Sequence, residues 1–245
     1  MALLTFFTAF LFMANVKADS GLPVRAAVPA GLPPPLLFEK GEELTGIVPE
    51  YTRALIELLG HKGSMSLLPR NRIIKDFRQG SADFLCYASY AWADERDTYN
   101  WADTLFTKRE WILGPAPMPK EIKGLKGKTI GTMLGYFYPD LEKMLKDGSL
   151  HREDGPSEEA NLVKLRNHHL EYLIVDEVFL NYYKKNNPDI EKGRERLLLR
   201  EYPVSCALSK KGRVTVKELN KAIAKLKSSG KLQEIFKKYG TPILE

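Results

Sequence analysis

The sequence predicts an α/β protein built as two lobes, on three observations. Apolar strand-like runs alternate with amphipathic helical stretches from Pro23 onward, which favours a mainly parallel sheet. The pattern restarts near Gly124, after the Pro- and Gly-containing run "REWILGPAPMP", and so marks a second αβ unit. The chain has 245 residues, room for two lobes at about 100 to 200 residues per domain.

The elements follow in order. The opening "MALLTFFTAFLFMANVKADS" carries an apolar run from Ala2 to Ala14, then Val16-Lys17-Ala18, the small-x-small pattern of a signal peptidase site. The expectation is a signal peptide over residues 1–18 and a periplasmic mature protein starting at Asp19. The run is shorter than the roughly 20 residues of a membrane span. "PVRAAVPA" then reads as a strand and "GLPPPLLFEKGEELTG" as a proline-rich turn. A helix follows with Tyr51, Leu55, Leu58 and Leu59 on one face and Gly60 as its stop. A short helix presents Ile73, Ile74 and Phe77 and ends at Gly80, and "ADFLCYASY" reads as a buried strand.

The second unit opens with the strand "LKGKTIGTML" and a helix face of Leu141, Met144 and Leu145. A helix with Leu162 and Leu165, the strand "LEYLIVD", the helix "EVFLNYYKKNN" and the strand "RLLLREYPVSCALS" come next. Two helices close the chain. Thr215 and Glu218 form a T-x-x-E capping box for the first, and Leu232, Ile235, Phe236 and Tyr239 recur at helical spacing in the second.

Composition excludes several function classes. Lys and Arg total 37 against 31 Asp and Glu, a net charge of +6 that becomes +5 once Lys17 is removed. The lysines are spread along helix faces, as in "KELNKAIAKLKSSGKLQEIFKKYG", so they read as a solvated surface and not as a nucleic-acid footprint. Cys86 and Cys206 are either one disulfide or two buried free thiols, since both sit in apolar strand-like runs. There is no G-x-S-x-G elbow, phosphate loop or dinucleotide fingerprint. Adjacent His168 and His169 point in different directions at a helix-to-strand junction, with no third ligand nearby. Neither a metal nor a cofactor is expected.

Six fragments in order resemble a known family. They are "ELTGIVPEYTRALIELLG", "RQGSADFLCYASYAWADER", "YNWADTLF", "LKGKTIGTMLGYFY", "LEYLIVDEVFLNYYKKN" and "AIAKLKSSGKLQEIFKKYG". Together they are similar to the amino-acid-type solute-binding proteins of bacterial family 3, which serve ABC transporters. The resemblance covers nearly the whole mature chain and implies a type II periplasmic binding protein fold with a ligand cleft between the lobes. It places lobe one over residues 19–109 and 206–245 and lobe two over residues 110–205, with hinges near Thr107 to Trp111 and Tyr202 to Cys206. It implies capture of a small carboxylate-bearing ligand by a monomer, with a membrane permease as partner.

The resemblance also implies site residues. Arg96 stands where the family's first lobe holds the ligand carboxylate; its composition alone reads as a solvated arginine. Asp176 stands where an acid receives the ligand ammonium, and it is equally well placed to cap the following helix. Glu177 reads as that helix's first-turn acid. Ser89 matches a ligand-binding Ser or Gly, while the next hydroxyl position is Ala91. The family's hydroxyl-rich anion loop is replaced by Gly135, Tyr136, Phe137 and Tyr138, so backbone amides, Tyr136 and Tyr138 are the candidate contacts. Pro33 replaces a stacking aromatic, and Arg70 and Arg72 add positive charge. Two other readings use the same fold: a cyclohexadienyl dehydratase with Glu177 or Asp176 as acid, and a ligand-sensing module for a membrane receptor.

Overall fold

The computed structural model describes residues 23–40, 43–60, 62–93 and 95–243; the expected signal peptide lies outside them. Among the described residues, the strands are β1 (Val24–Pro29), β2 (Phe38–Lys40), β3 (Glu43–Thr45), β4 (Gly63–Leu68), β5 (Phe84–Ala88), β6 (Tyr99–Pro115), β7 (Thr129–Met133), β8 (His151–Gly155), β9 (Tyr172–Asp176) and β10 (Arg194–Ser209). The helices are α1 (Ile47–Leu59), α2 (Arg70–Gln79), α3 (Glu142–Lys146), α4 (Glu158–Arg166), α5 (Glu177–Lys184), α6 (Val216–Ser228) and α7 (Lys231–Lys238). A short hairpin joins β2 to β3, and the other strands form one sheet in the order β4-β1-β5-β10-β6-β9-β7-β8.

The two ends of this sheet are parallel, as alternation predicts: β1 pairs with β4 and β5, and β7 pairs with β8 and β9. The middle is not. β6 and β10 run antiparallel to each other, and also to β9 and β5 respectively. The mainly parallel expectation holds at the two ends and is corrected at the centre, where β6 lies antiparallel between β10 and β9 although a helix, α5, connects β9 to β10. β6 also begins at Tyr99, inside a segment that carries no strand pattern of its own, because its register is set by the partner strand.

Sequence dictates most elements locally. In α1, Ile47, Val48, Tyr51 and Leu55 are buried along one stripe, and Gly60 closes the helix with φ 74°, a left-handed conformation open to glycine at little cost. The α6 box forms as expected, with Glu218 N–H donating to the Thr215 hydroxyl at 3.2 Å and Thr215 N–H to the Glu218 carboxylate at 2.9 Å. Phe84, Phe106 and Phe236 close the main core of the first lobe, while Ile112, Leu125, Ile130 and Leu141 pack on one side of the second lobe's sheet. Leu113, Leu162, Leu173 and Leu180 pack on the other side.

Cys86 and Cys206, left open by sequence, are bonded across paired strands β5 and β10. Both residues are fully buried and lie 120 residues apart. Closing so long a loop restricts the unfolded chain, so the double change to alanine is expected to cost about 2–4 kcal/mol. For a protein of this size that lowers the melting temperature by roughly 4 to 16 °C, which differential scanning calorimetry would read.

Candidate functional site

Between the two parallel ends of the sheet, β6 and β10 pair only with each other. β10 contacts β5 through Ser205–Leu208, and β6 contacts β9 through Glu110–Leu113. The intervening ladder sets Lys108 opposite Tyr202 and Glu110 opposite Arg200. Opposed residues share a face and alternate residues repeat it, so these four side chains form one patch. The carboxyl ends of β5 and β9 open beside it, where open α/β sheets hold ligands.

Lys108 organises the patch. Its ammonium donates to Glu110 Oε1 at 2.5 Å and lies 3.1 Å from Asp176 Oδ2, without the alignment of a hydrogen bond to that oxygen. The Trp92 and Tyr202 rings stand 5.8 and 5.7 Å from it, within cation–π range. Burial opposes its charge, but Asp176 and Glu110 outweigh burial and hold the ammonium above the usual lysine range. Lys108 is therefore a permanent buried cation.

Asp176 is 5% exposed and its bonds are committed. Oδ1 accepts from Val178 N–H at 2.7 Å and Phe179 N–H at 3.1 Å, capping α5, and its own N–H donates to Glu158 Oε1 at 2.9 Å. Glu158 Oε2 is buried without a partner. Burial first, and Asp176 next, push the Glu158 carboxyl up to about 8, so it keeps its proton at neutral pH. Burial also raises the Tyr87 phenol, with Asp176 adding to it, and raises Tyr136, with Glu158 adding to it. Tyr202 is pushed up to about 12 by burial and then Glu110. The charges of the acid–lysine cluster thus reach three phenols, of which Tyr202 lies directly against Lys108.

The remaining residues singled out by sequence have partners of their own. Arg96 is exposed on a single 3₁₀ turn, its guanidinium 4.7 Å above the Tyr90 ring and its carbonyl accepting from Trp101 Nε1 at 3.0 Å. Ser89 is buried at the end of β5, with its hydroxyl accepting weakly from Ala91 N–H at 3.4 Å. Arg72 is exposed and pairs with Asp76 one turn along α2, at 2.8 Å. Arg70 reaches the Trp92 carbonyl at 3.2 Å. Gly135 lies in the loop after β7 with φ 77°, and Arg152 pins that loop by donating to the carbonyls of Tyr136 at 3.0 Å and Met133 at 2.8 Å. Tyr136 is about half exposed, whereas Tyr138 is 4% exposed in the second lobe's core and accepts from Met133 N–H. Glu177 accepts from Trp111 Nε1 at 3.2 Å and faces Arg109, on the opposite side of β6 from Lys108. Of the sequence candidates, the structure sets Asp176 against Lys108, and the charges of the cluster also act on the Tyr136 and Tyr138 phenols; Lys108 itself was missed by sequence reasoning, along with Glu110, Glu158, Tyr87, Trp92 and Tyr202. The signal available was Lys108 itself, a lone lysine in mid-strand within "LFTKREWIL".

The family model for bacterial extracellular solute-binding proteins, family 3, matches residues 24–242. The chain belongs to that family. This family 3 protein also shares its fold with solved structures. The unliganded open L-cystine solute receptor of Neisseria gonorrhoeae is 18% identical with a TM-score of 0.70, over 90% of this chain and 94% of that one. The arginine-, lysine- and histidine-binding protein of Geobacillus stearothermophilus is 20% identical with a TM-score of 0.63, over 91% and 97%. The Nostoc punctiforme GluR0 ligand-binding core in complex with L-glutamate is 19% identical with a TM-score of 0.65, over 90% and 100%. Among curated protein sequences nothing matches. The two-lobed binding-protein fold expected from sequence is the fold of these neighbours, and no helix among the described residues is long and apolar enough to cross a membrane.

Two outcomes follow from the cluster. Asp176→Ala leaves Lys108 with one buried partner and removes the α5 cap, so it is expected to cost about 3–5 kcal/mol; Asp176→Asn, which keeps a cap acceptor, costs less. Urea unfolding at pH 7 would separate the two. Glu158 sets a pH dependence: its folded value of about 8 lies above the ordinary 4.5. The native state thus holds a proton that the unfolded state has released between those values. Its stabilising contribution is full below pH 4.5 and is lost as pH rises through 8, by up to about 1.4 kcal/mol per unit. Glu158→Gln is expected to flatten that decline, measured by urea unfolding from about pH 5 to 8.

Proposed function

We propose that this family 3 protein captures a small, polar, carboxylate-bearing solute, an amino acid or a relative of one, by closing its lobes, and delivers it to an ABC permease from outside the cytoplasmic membrane. The protein works as a periplasmic monomer. The observation that carries this reading is the ladder of β6 and β10 between the two halves of the sheet, with an aromatic, charged patch on one face. Over the short stretch from Phe106 to Arg109, opposite Val204 to Glu201, the two strands pair only with each other and can flex, and a ligand touching both lobes shifts the population toward the closed form.

The lobe boundaries are taken as residues 19–109 with 206–245 for the first lobe and 110–205 for the second, the hinges lying in the ladder near Thr107 to Trp111 and Tyr202 to Cys206. Arg96 is the carboxylate donor: its guanidinium is exposed, its plane is supported by Tyr90, and its fork matches a carboxylate. Ser89, buried just past the end of β5, and Gly135 and Tyr136 in the loop after β7 are the further contacts assigned in this reading, and Arg72 adds positive potential. Support also comes from the neighbours, whose names give cystine, basic amino acids and glutamate as ligands.

One observation favours a second reading, a dehydratase on the same fold: Glu158 keeps a proton beside the patch, as a general acid must. Glu177, bound by Trp111 and the Arg109 ion pair, and Asp176, committed to its cap, are poorer acids for that role. Incubation with prephenate decides it, because phenylpyruvate formation is expected of the enzyme alone.

The binding reading is tested by thermal shift against amino acids, opines, dicarboxylates and polyamines at about 1 mM each. A micromolar ligand is expected to add about 4 kcal/mol, a rise of roughly 8 to 16 °C. With a ligand in hand, Arg96→Ala is expected to weaken binding at least tenfold in calorimetric titration while leaving the melting temperature within a degree or two, since the side chain is exposed. Unchanged affinity would remove Arg96 from the site.

A further inference from the structure

We propose that Lys108 is a tethered counter-ion occupying the acidic ammonium pocket of Asp176, and that the ligand is therefore an acid lacking a free α-ammonium group. This rests on the binding reading above and narrows its solute class. The argument begins with what Asp176 has left to give. Oδ1 serves two backbone donors, Oδ2 faces the Lys108 ammonium at 3.1 Å and is buried, and the backbone N–H is taken by Glu158. With its side chain only 6% exposed and its outer oxygen turned to the lysine, the carboxylate presents almost no surface to a solute.

The surroundings of the Lys108 nitrogen are those an incoming ammonium would seek: two carboxylates at 2.5 and 3.1 Å and the faces of Trp92 and Tyr202. The cation already there cannot drift away, because its stem springs from the middle of β6 and its side chain is only 11% exposed. A second ammonium seated nearby would meet a like charge where little water screens it. Removal of Lys108 to make room would leave Asp176 and Glu110 facing each other without a cation.

What stays open has a different chemistry. Arg96 offers an exposed guanidinium over Tyr90. β7 runs parallel to β9, so the loop after Met133 emerges at the same end of the sheet as Asp176, and there Leu134 and Phe137 are each 68% exposed and Tyr136 52%. A carboxylate with an apolar or aromatic body suits these groups, and an α-amino acid zwitterion does not.

The test is calorimetric titration of the purified protein with matched pairs: L-phenylalanine against 3-phenylpropanoate, L-glutamate against glutarate, and L-arginine against 5-guanidinopentanoate. The same pairs are run on Lys108→Met and, should that variant not fold, on Lys108→Met/Glu110→Gln, which removes a cation and an anion together. The wild type is expected to bind the acid without the α-amino group at least tenfold more tightly than its partner, and the variant to lose or reverse that preference. An α-amino acid bound by the wild type as tightly as its partner acid would overturn the inference while leaving solute capture standing. So would a preference that persists unchanged in the variant. No binding of any member by either protein would overturn both.

Discussion

Because Tyr99–Pro115 and Arg194–Ser209 pair antiparallel almost from end to end, two parallel half-sheets that share few other hydrogen bonds become one molecule. The register of that ladder decides which side chains meet. With Lys108 opposite Tyr202 and Glu110 opposite Arg200, one face of the ribbon becomes charged and aromatic. A slip of one residue would turn Arg109 and Trp111 to that face instead and scatter the patch. Packing on both ends guards against such a slip: Phe106 is locked against Phe236 in the first lobe, and Ile112 lies in the core of the second.

On that ribbon, electrostatics and backbone structure are coupled. Asp176 is at once the end of β9, the cap of α5 and the partner of Lys108, and Glu158 is tied to the same residue through its backbone N–H. A buried ion pair of this kind is weak evidence for net stability, since desolvation offsets much of the attraction, but it fixes geometry strictly. The cluster holds one arrangement of strand, helix start and lysine.

Much of this was legible in the sequence, for identifiable reasons. The α1 stripe, its glycine stop and the α6 capping box are encoded within a dozen residues each, and they appear as read. The edge strands β4 and β8 were not legible, because "GSMSLL" and "HREDG" have little apolar pattern and are strands only through pairing with β1 and β7. The long antiparallel centre was likewise hidden, since Tyr99 to Lys108 draw their extended form from residues about a hundred positions later. Of the site, Asp176 was visible because it ends an apolar strand. Its partners were not: Lys108, Glu158 and Trp92 come from three separate segments, and nothing local announces that they converge. The alternative reading of Asp176 as a helix cap describes Oδ1 correctly, and this use of the side chain is what leaves only Oδ2 for the lysine.

The bond between Cys86 and Cys206 has a topological meaning beyond its strength. The chain passes one cysteine in β5, then builds β6 and the whole second half of the sheet before it reaches the other in β10. The whole second unit is therefore an excursion whose two ends are stapled together. A protease that nicks any loop of that excursion produces two chains that stay covalently joined, so the damage is invisible until the bridge is reduced. In synthesis the same geometry imposes an order: the staple waits for residue 206, by which point about five-sixths of the chain has been made.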